Sequence, residues 1–144
     1  MKIFSVLPLL LLFAGGAADT IFRANGTLTC HYHWPTWCYT IQYWEKDVSV
    51  IFNMDDLIVE EGTICRQSDT IDFFVEGTQD WDGINDHFFE TQLEITHNCT
   101  WDGDLRRAVR KMDYTRTTEK ESLIIFNQDI THKGHVVYEY FKAH

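Results

Sequence analysis

His31 and His33 stand two residues apart, which on an extended strand puts both imidazoles on one side at the spacing of metal ligands. A third ligand would have to come from His97, Glu94 or Asp72. Carboxylates are the other reactive stock: Asp55-Asp56, Glu60-Glu61, Asp80, Asp82 and Asp86. Paired carboxylates run glycoside hydrolysis, and with carbonyl oxygens they bind Ca²⁺. Asp80-x-Asp82-Gly83 opens like a calcium loop, but Thr91 stands where the twelfth position needs a glutamate. There is no Gly-x-Ser-x-Gly elbow to raise a serine nucleophile. The plainer assignment places the histidine pair on a solvated strand face, His97 in hydrogen bonding at a strand end, and the acids as solvating charge. The reading is therefore a protein without catalytic residues, metal or cofactor. Its rival is a small metal- or carboxylate-dependent hydrolase built on His31, His33 and nearby acids.

Four cysteines, Cys30, Cys38, Cys65 and Cys99, remain to be placed. None stands two to four residues from another, the spacing a structural zinc site requires. An even count reads as two disulfides, and sequence alone permits three connectivities. The N-terminus gives the reason to expect oxidation. Met1-Lys2 is a short positive start, Ile3 to Ala14 is almost wholly apolar, and Gly15-Gly16-Ala17-Ala18 supplies small residues ahead of Asp19. Residues 1–18 thus read as a secretory signal peptide, and residues 19–144 as the mature domain. The apolar run falls short of the roughly 20 residues that span a bilayer. A secreted, extracellular protein without a transmembrane segment is expected. Two sequons agree with export: Asn25-Gly26-Thr27 and Asn98-Cys99-Thr100 are candidate N-glycosylation sites.

Charge narrows the partners. Of 144 residues, 22 are Asp or Glu and 12 Lys or Arg, a formal net charge of −10. Removing the leader takes Lys2 alone among the charged residues and leaves −11 (11 − 22) on 126 residues (144 − 18). Such a chain is repelled by phosphate backbones, so nucleic acid is not an expected partner. At 44% hydrophobic and 24% charged, it has the balance of a folded globule and not of a disordered segment.

Short β-like runs separated by turn residues must position these groups. Gly26–Tyr32 alternates, with Leu28 and Cys30 on one face. Trp37–Trp44 is dense in aromatic and β-branched residues, with Cys38, Thr40, Gln42 and Trp44 on one side. Further runs are Ile58–Cys65, Thr70–Glu76 stopped by Gly77, Phe89–His97, Ser122–Phe126 and His135–Phe141. In the fifth of these runs Phe89, Thr91, Leu93, Ile95 and His97 face together. Over Gly103–Met112 the period changes: Leu105, Ala108, Val109 and Met112 fall at helical spacing, with Asp102 or Asp104 ahead as a cap. One amphipathic helix of two turns is expected there; the basic cluster Arg106, Arg107, Arg110, Lys111 and Arg116 could bind an anionic surface such as a lipid headgroup, but the plainer assignment is a solvated face. The chain has no repeat and no linker, so seven to eight short antiparallel strands and one helix predict a single all-β, two-sheet sandwich.

Four of these segments resemble the nematode transthyretin-like family. Gly26-Thr27-Leu28-Thr29-Cys30 is similar to its Gly-x-Leu-x-Cys opening strand, and Phe73-Phe74-Val75-Glu76-Gly77 to its Phe-x-Leu-x-Gly strand end. Leu93-Glu94-Ile95-Thr96-His97-Asn98-Cys99 resembles its Leu-x-Ile-x-His-x-Cys strand, and Ile125 to Thr131 sits where the family has Ile-Pro-x-x-Tyr-Ile. The departures are specific. Ser68-Asp69-Thr70-Ile71 lacks the glycine of the family's Asp-x-x-Gly turn, and Asn127 replaces its proline. A cysteine is missing around Lys120, Cys38 and Cys65 are additions, and the Thr100–Glu119 segment is longer. The chain reads as a divergent member.

The resemblance implies a transthyretin-like sandwich of two antiparallel sheets with a short helix after the fifth strand. It also implies a pairing. If Trp37–Trp44 and Ile58–Cys65 form a hairpin, Cys38 can face Cys65, and Cys30 pairs with Cys99; the alternative joins Cys30 to Cys38. The activity implied is that of an extracellular carrier or recognition protein for a small apolar ligand, a lipid or a cell-surface partner. A secreted effector recognising a host protein fits the same features. Hydroxyisourate hydrolases share the fold but end in Tyr-Arg-Gly-Ser, whereas this chain ends Tyr140-Phe141-Lys142-Ala143-His144. In favour of binding stands the aromatic load: Trp34, Trp37, Phe73, Phe74, Trp81, Phe88, Phe89 and Trp101 exceed what one small core needs. Phe73 and Phe74 are adjacent, so only one can face the core.

Overall fold

The structure is a computed structural model that describes residues 19–32, 36–46, 55–80 and 87–138. The expected leader lies outside the described residues, as do His33, Trp34, Trp81, Asp82 and Asp86. The described chain forms ten strands and no helix: β1 (Thr20–Thr29), β2 (Trp37–Glu45), β3 (Asp56–Arg66), β4 (Thr70–Gln79), β5 (Phe88–His97), β6 (Arg106–Val109), β7 (Asp113–Arg116), β8 (Glu121–Ile125), β9 (Gln128–Asp129) and β10 (His135–Val136). They make two sheets. One runs β4-β1-β8, with β9 also on β1; the other runs β10-β6-β5-β2-β3, with β7 also on β5.

Period-two alternation explains why the sheets close on each other. In β2, Trp37, Tyr39, Ile41 and Tyr43 are buried while Cys38, Thr40, Gln42 and Trp44 turn outward. In β5, Phe89, Thr91, Leu93, Ile95 and His97 are all buried. From the four-stranded sheet come Phe22, Ala24, Leu28, Phe73, Val75 and Ile124. Phe22 joins the layers, edge-on to Tyr43 at 6.0 Å and to Phe89 at 5.1 Å. Full burial of such a ring contributes about 2 kcal/mol before packing geometry is counted. Phe73 is buried and Phe74 is 58% exposed, as adjacency on one strand requires.

Several expectations need correcting. The helix over Gly103–Met112 is absent: Arg106–Val109 is strand β6, antiparallel to β5, with Ala108 opposite Ile95 and Arg107 opposite Thr96. A two-turn helix is marginal on its own, whereas the open edge of β5 offers a row of unpaired backbone groups. The helical spacing of apolar residues lost to that edge, and only Ala108 of the four is buried. The sheets are not wholly antiparallel either, because β8 and β9 both run parallel to β1. Strand β1 begins at Thr20, six residues before the expected Gly26, since Phe22 and Ala24 continue the inward face of Leu28. Gly77 does not stop β4. It is a site of close approach by β3, and a Cβ there would stand 2.6 Å from the Ile58 carbonyl oxygen.

Candidate functional site

The two disulfides occupy different environments. Cys30 follows β1 and Cys99 follows β5; they are bridged with Cα atoms 5.8 Å apart, both fully buried, and tie the two sheets together at one end of the sandwich. Cys38 and Cys65 are bridged directly across β2 and β3, Cα atoms 4.0 Å apart, on the face that looks away from the core. The Cys30–Cys38 alternative is thereby excluded, and no described cysteine is free.

Those of the singled-out reactive residues that lie among the described residues do not converge. His31 is exposed and stands 3.7 Å from Asp129. His97 lies at the closed end, fully buried. Its Nδ1 accepts the Cys99 N–H, and its Nε2 therefore carries the hydrogen and donates to the Lys133 carbonyl at 3.1 Å. Both nitrogens are committed, which leaves none for a metal. Burial pushes its pKa down to about 4, with the charges of Arg106 and His132 acting in the same direction and the Lys133 carbonyl opposing. Glu94 belongs to the other face of β5, where it meets Lys46 at 3.3 Å and Arg107 at 3.5 Å. Asp72 is on the outer face of the four-stranded sheet, accepting the Thr27 hydroxyl at 2.7 Å. Among the described residues no three His, Cys, Asp or Glu side chains gather to hold a metal ion.

What does gather is a ring-rich cluster around the Cys30–Cys99 bridge. Tyr32 follows β1, Trp101 follows β5, and His132 sits between β9 and β10. The Tyr32 and His132 rings meet edge-on at 4.9 Å, and the Trp101 backbone N–H donates to His132 Nε2 at 3.3 Å. His132 has φ +57°, a left-handed conformation uncommon outside glycine that costs backbone energy unless its surroundings hold it. The constraint is visible. Its N–H donates to the Cys99 carbonyl at 3.0 Å, Lys133 N–H closes a turn onto Ile130, and Arg106 Nη1 donates to the carbonyls of His132 and Gly134. Thr131 adds a bond from the His31 N–H to its hydroxyl at 3.0 Å, and Asp129 accepts the Thr131 N–H at 2.9 Å. These bonds to Asp129 hold its carboxyl below the usual range, Thr131 contributing most. Thr100 likewise holds Asp102 low, beside Trp101.

The result is a fixed loop end that projects two rings: Trp101 is 74% exposed and Tyr32 45%. Only Trp101 of this group stood out as a ring in the sequence. His132, Tyr32 and Asp129 were missed, and the available signal was the turn chemistry of Asp129-Ile130-Thr131-His132-Lys133-Gly134, whose glycine has φ +89°. This arrangement can stack, donate and accept hydrogen bonds on a rigid base. It presents no nucleophile paired with a base.

A second feature lies on the four-stranded sheet's outer face: a groove of about 430 Å³, open to solvent, lined by Asn25, Thr27, Asp72, Phe74, Ile125 and Asn127 among others. Near it Gly26 allows the chain after β8 to pass: a Cβ there would lie 1.9 Å from the Phe126 carbonyl oxygen, and Asn127 Oδ1 accepts the Thr27 N–H instead of a strand partner. The other sequon residue, Asn98, is engaged at the closed end, its Oδ1 accepting the Cys38 N–H at 2.7 Å. Among the described residues no helix is long and apolar enough to cross a membrane.

An uncharacterized protein of Caenorhabditis elegans is 33% identical over 79 residues, which is 55% of this chain and 55% of that relative, so the match spans about half the length of each. No solved structure matches the chain. The model of one family covers residues 25–138, a range that takes in both disulfides and the strands from the middle of β1 to β10, and on that match the chain belongs to the family described as Caenorhabditis elegans protein of unknown function (DUF870).

Proposed function

We propose that the protein is a secreted, non-enzymatic recognition protein that engages an extracellular protein partner through its disulfide-closed loop end. The observation that carries this is the pair of projecting rings, Trp101 and Tyr32, held in place by a strained His132 beside the buried Cys30–Cys99 bridge. Exposed aromatic residues on rigid loops are the usual anchors of protein interfaces. A carrier of small apolar ligands needs a concave site that encloses most of its cargo. These rings point outward instead, which favours a protein surface over a small apolar ligand or a lipid. Secretion is supported by the leader-like residues 1–18 and by two disulfides, the mark of an oxidising compartment.

The sandwich itself is proposed to be transthyretin-like. The strand orders β4-β1-β8 and β3-β2-β5-β6 support this, together with a first strand that runs parallel to β8.

The test is site-specific photo-crosslinking on the secreted protein. A photoreactive side chain at position 101 should capture an extracellular protein from the source organism that the same probe at Thr78, on β4, does not. Capture of lipid alone, or equal capture from both positions, would refute the loop end as the recognition surface.

A further inference from the structure

Asn25 lies in the middle of β1, the central strand of its sheet, and its neighbours on both sides are apolar and exposed. Phe74 of β4 is its partner on one side and Ile125 of β8 on the other. Phe74 is 58% exposed and Ile125 62%. Leu123, 58% exposed, stands on the same face beside Arg23. Three large apolar side chains, one from β4 and two from β8, flank Asn25 and make a patch, and patches rimmed by polar groups mark places that something covers. Polar groups border it along β1: Arg23 bridges Glu76 at 2.5 Å and Glu121 at 3.3 Å, and the Thr27 hydroxyl is bonded to Asp72. At the centre of the patch stands a side-chain amide that no described group hydrogen-bonds, and it is the acceptor of the sequon Asn25-Gly26-Thr27.

We propose that Asn25 carries an N-linked glycan whose first sugar residues lie across Phe74, Ile125 and Leu123, and that this glycan is the cover of the sheet's outer face. The inference rests on the secreted reading, since only a chain entering the secretory route meets the donor. In the transfer, Asn25 Nδ2 forms a bond to C1 of the first N-acetylhexosamine of a lipid-diphosphate-linked oligosaccharide. The C1–O bond to phosphate breaks, the lipid diphosphate leaves with that electron pair, and Nδ2 gives up one proton. Transfer takes place on the extended chain, so the later pairing of Asn25 and Thr27 within the sheet is no obstacle.

The geometry of the folded product explains why the sugar stays down. Directly opposed residues on one face of a sheet have Cβ atoms about 5 Å apart, so a ring attached to the tip of Asn25 reaches Phe74 without strain. A pyranose has one face of C–H bonds that packs on an aromatic ring, and an edge of hydroxyls. The 430 Å³ groove offers those hydroxyls the carboxylate of Asp72. Asn98 has no such platform. Its amide oxygen is spent on the Cys38 N–H, and its own N–H donates to the Cys38 carbonyl. The stacked-sugar assignment therefore covers Asn25 alone.

The experiment uses the full chain secreted from a eukaryotic host. Glycopeptide mass should place one glycan at Asn25. Enzymatic deglycosylation of the folded protein should be several-fold faster in Phe74→Ser than in the parent, while a denatured sample shows no difference. The deglycosylated parent should bind an apolar fluorescent dye that the glycosylated form does not, and Phe74→Ser should abolish that gain. Enzymatic removal after folding keeps the dye test valid even if Asn25→Gln fails to fold. A protein secreted with Asn25 bare overturns the proposal and leaves the secreted reading standing. A chain retained in the cell with residues 1–18 attached overturns the secreted reading itself. A glycan released at the same rate with and without Phe74 refutes the platform. A bare protein that sediments as a dimer, and as a monomer in Phe74→Ser, assigns the face to a second copy instead.

Discussion

His97 Nδ1 accepts the backbone N–H of Cys99 at 3.1 Å, so a single bond two residues along the chain fixes which ring nitrogen carries the hydrogen. A second proton would have to displace that bond inside a fully buried site. In the unfolded chain the imidazole takes up its proton near the ordinary 6.5, whereas in the fold it resists until about 4. The unfolded state therefore binds more protons between those values, and stability falls as pH drops through that window. The loss reaches about 3 kcal/mol at the acid end. Urea unfolding at steps from pH 7.5 to 4 should show the decline, and His97→Gln should flatten it. An unchanged slope in that variant would count against His97 as the source.

The two bridges should differ in what their removal costs and in how readily they are reduced. Loop closure alone predicts about 4 kcal/mol for either bridge, since the enclosed lengths enter only as a logarithm. Cys30 and Cys99 are fully buried, so their replacement by alanine also leaves a void and loosens the join between sheets. Cys30→Ala/Cys99→Ala should be the less stable double variant by chemical denaturation. Mild reductant should open Cys38–Cys65 first, because Cys65 is exposed; mass mapping of alkylated thiols reads this directly.

Gly26→Ala keeps the Asn-x-Thr triplet but puts a methyl group against the Phe126 backbone. The neighbour is main chain and cannot swing aside. A loss of about 3 kcal/mol is expected. Thermal melts of this variant beside Gly103→Ala would separate the close approach from loop effects, because nothing lies within 4 Å of a Cβ at Gly103 although φ there is +78°.

Trp101→Ala should leave the fold within about 0.5 kcal/mol of the parent, since the ring is largely in solvent. Partner binding should weaken by at least about tenfold, the usual consequence of truncating an anchoring aromatic. Calorimetric titration with the captured partner, alongside a thermal melt, checks both halves. A strong loss of stability with intact binding would place Trp101 in the scaffold and not at the interface.

Much of the architecture was legible locally. In β2 and β5 every second residue from Trp37 to Tyr43 and from Phe89 to His97 is buried, so those faces could be read from the chain at period two, with His97 among them. The stretch Arg106–Val109 could not, because its own pattern favoured a helix and the competing partner, the β5 edge, is contributed from elsewhere. Spacing within one segment carries no information about an edge left open by another. The described third-ligand candidates are scattered for a related reason. Glu94 and His97 are three apart, which on a strand sends them to opposite faces, and Asp72 belongs to the other sheet.

The sequence by itself determined the inward faces of β2 and β5, the predominance of strands and the supply of cysteines, since each follows from alternation and residue type over a few neighbours. Only the tertiary structure decided which residues meet across the sheets. It set Asn25 between Phe74 and Ile125, His132 against Tyr32 and Trp101, and β8 parallel to β1. Those relationships are long-range pairings chosen by the joint burial of two apolar faces, and no local pattern encodes the register in which two distant segments will lie.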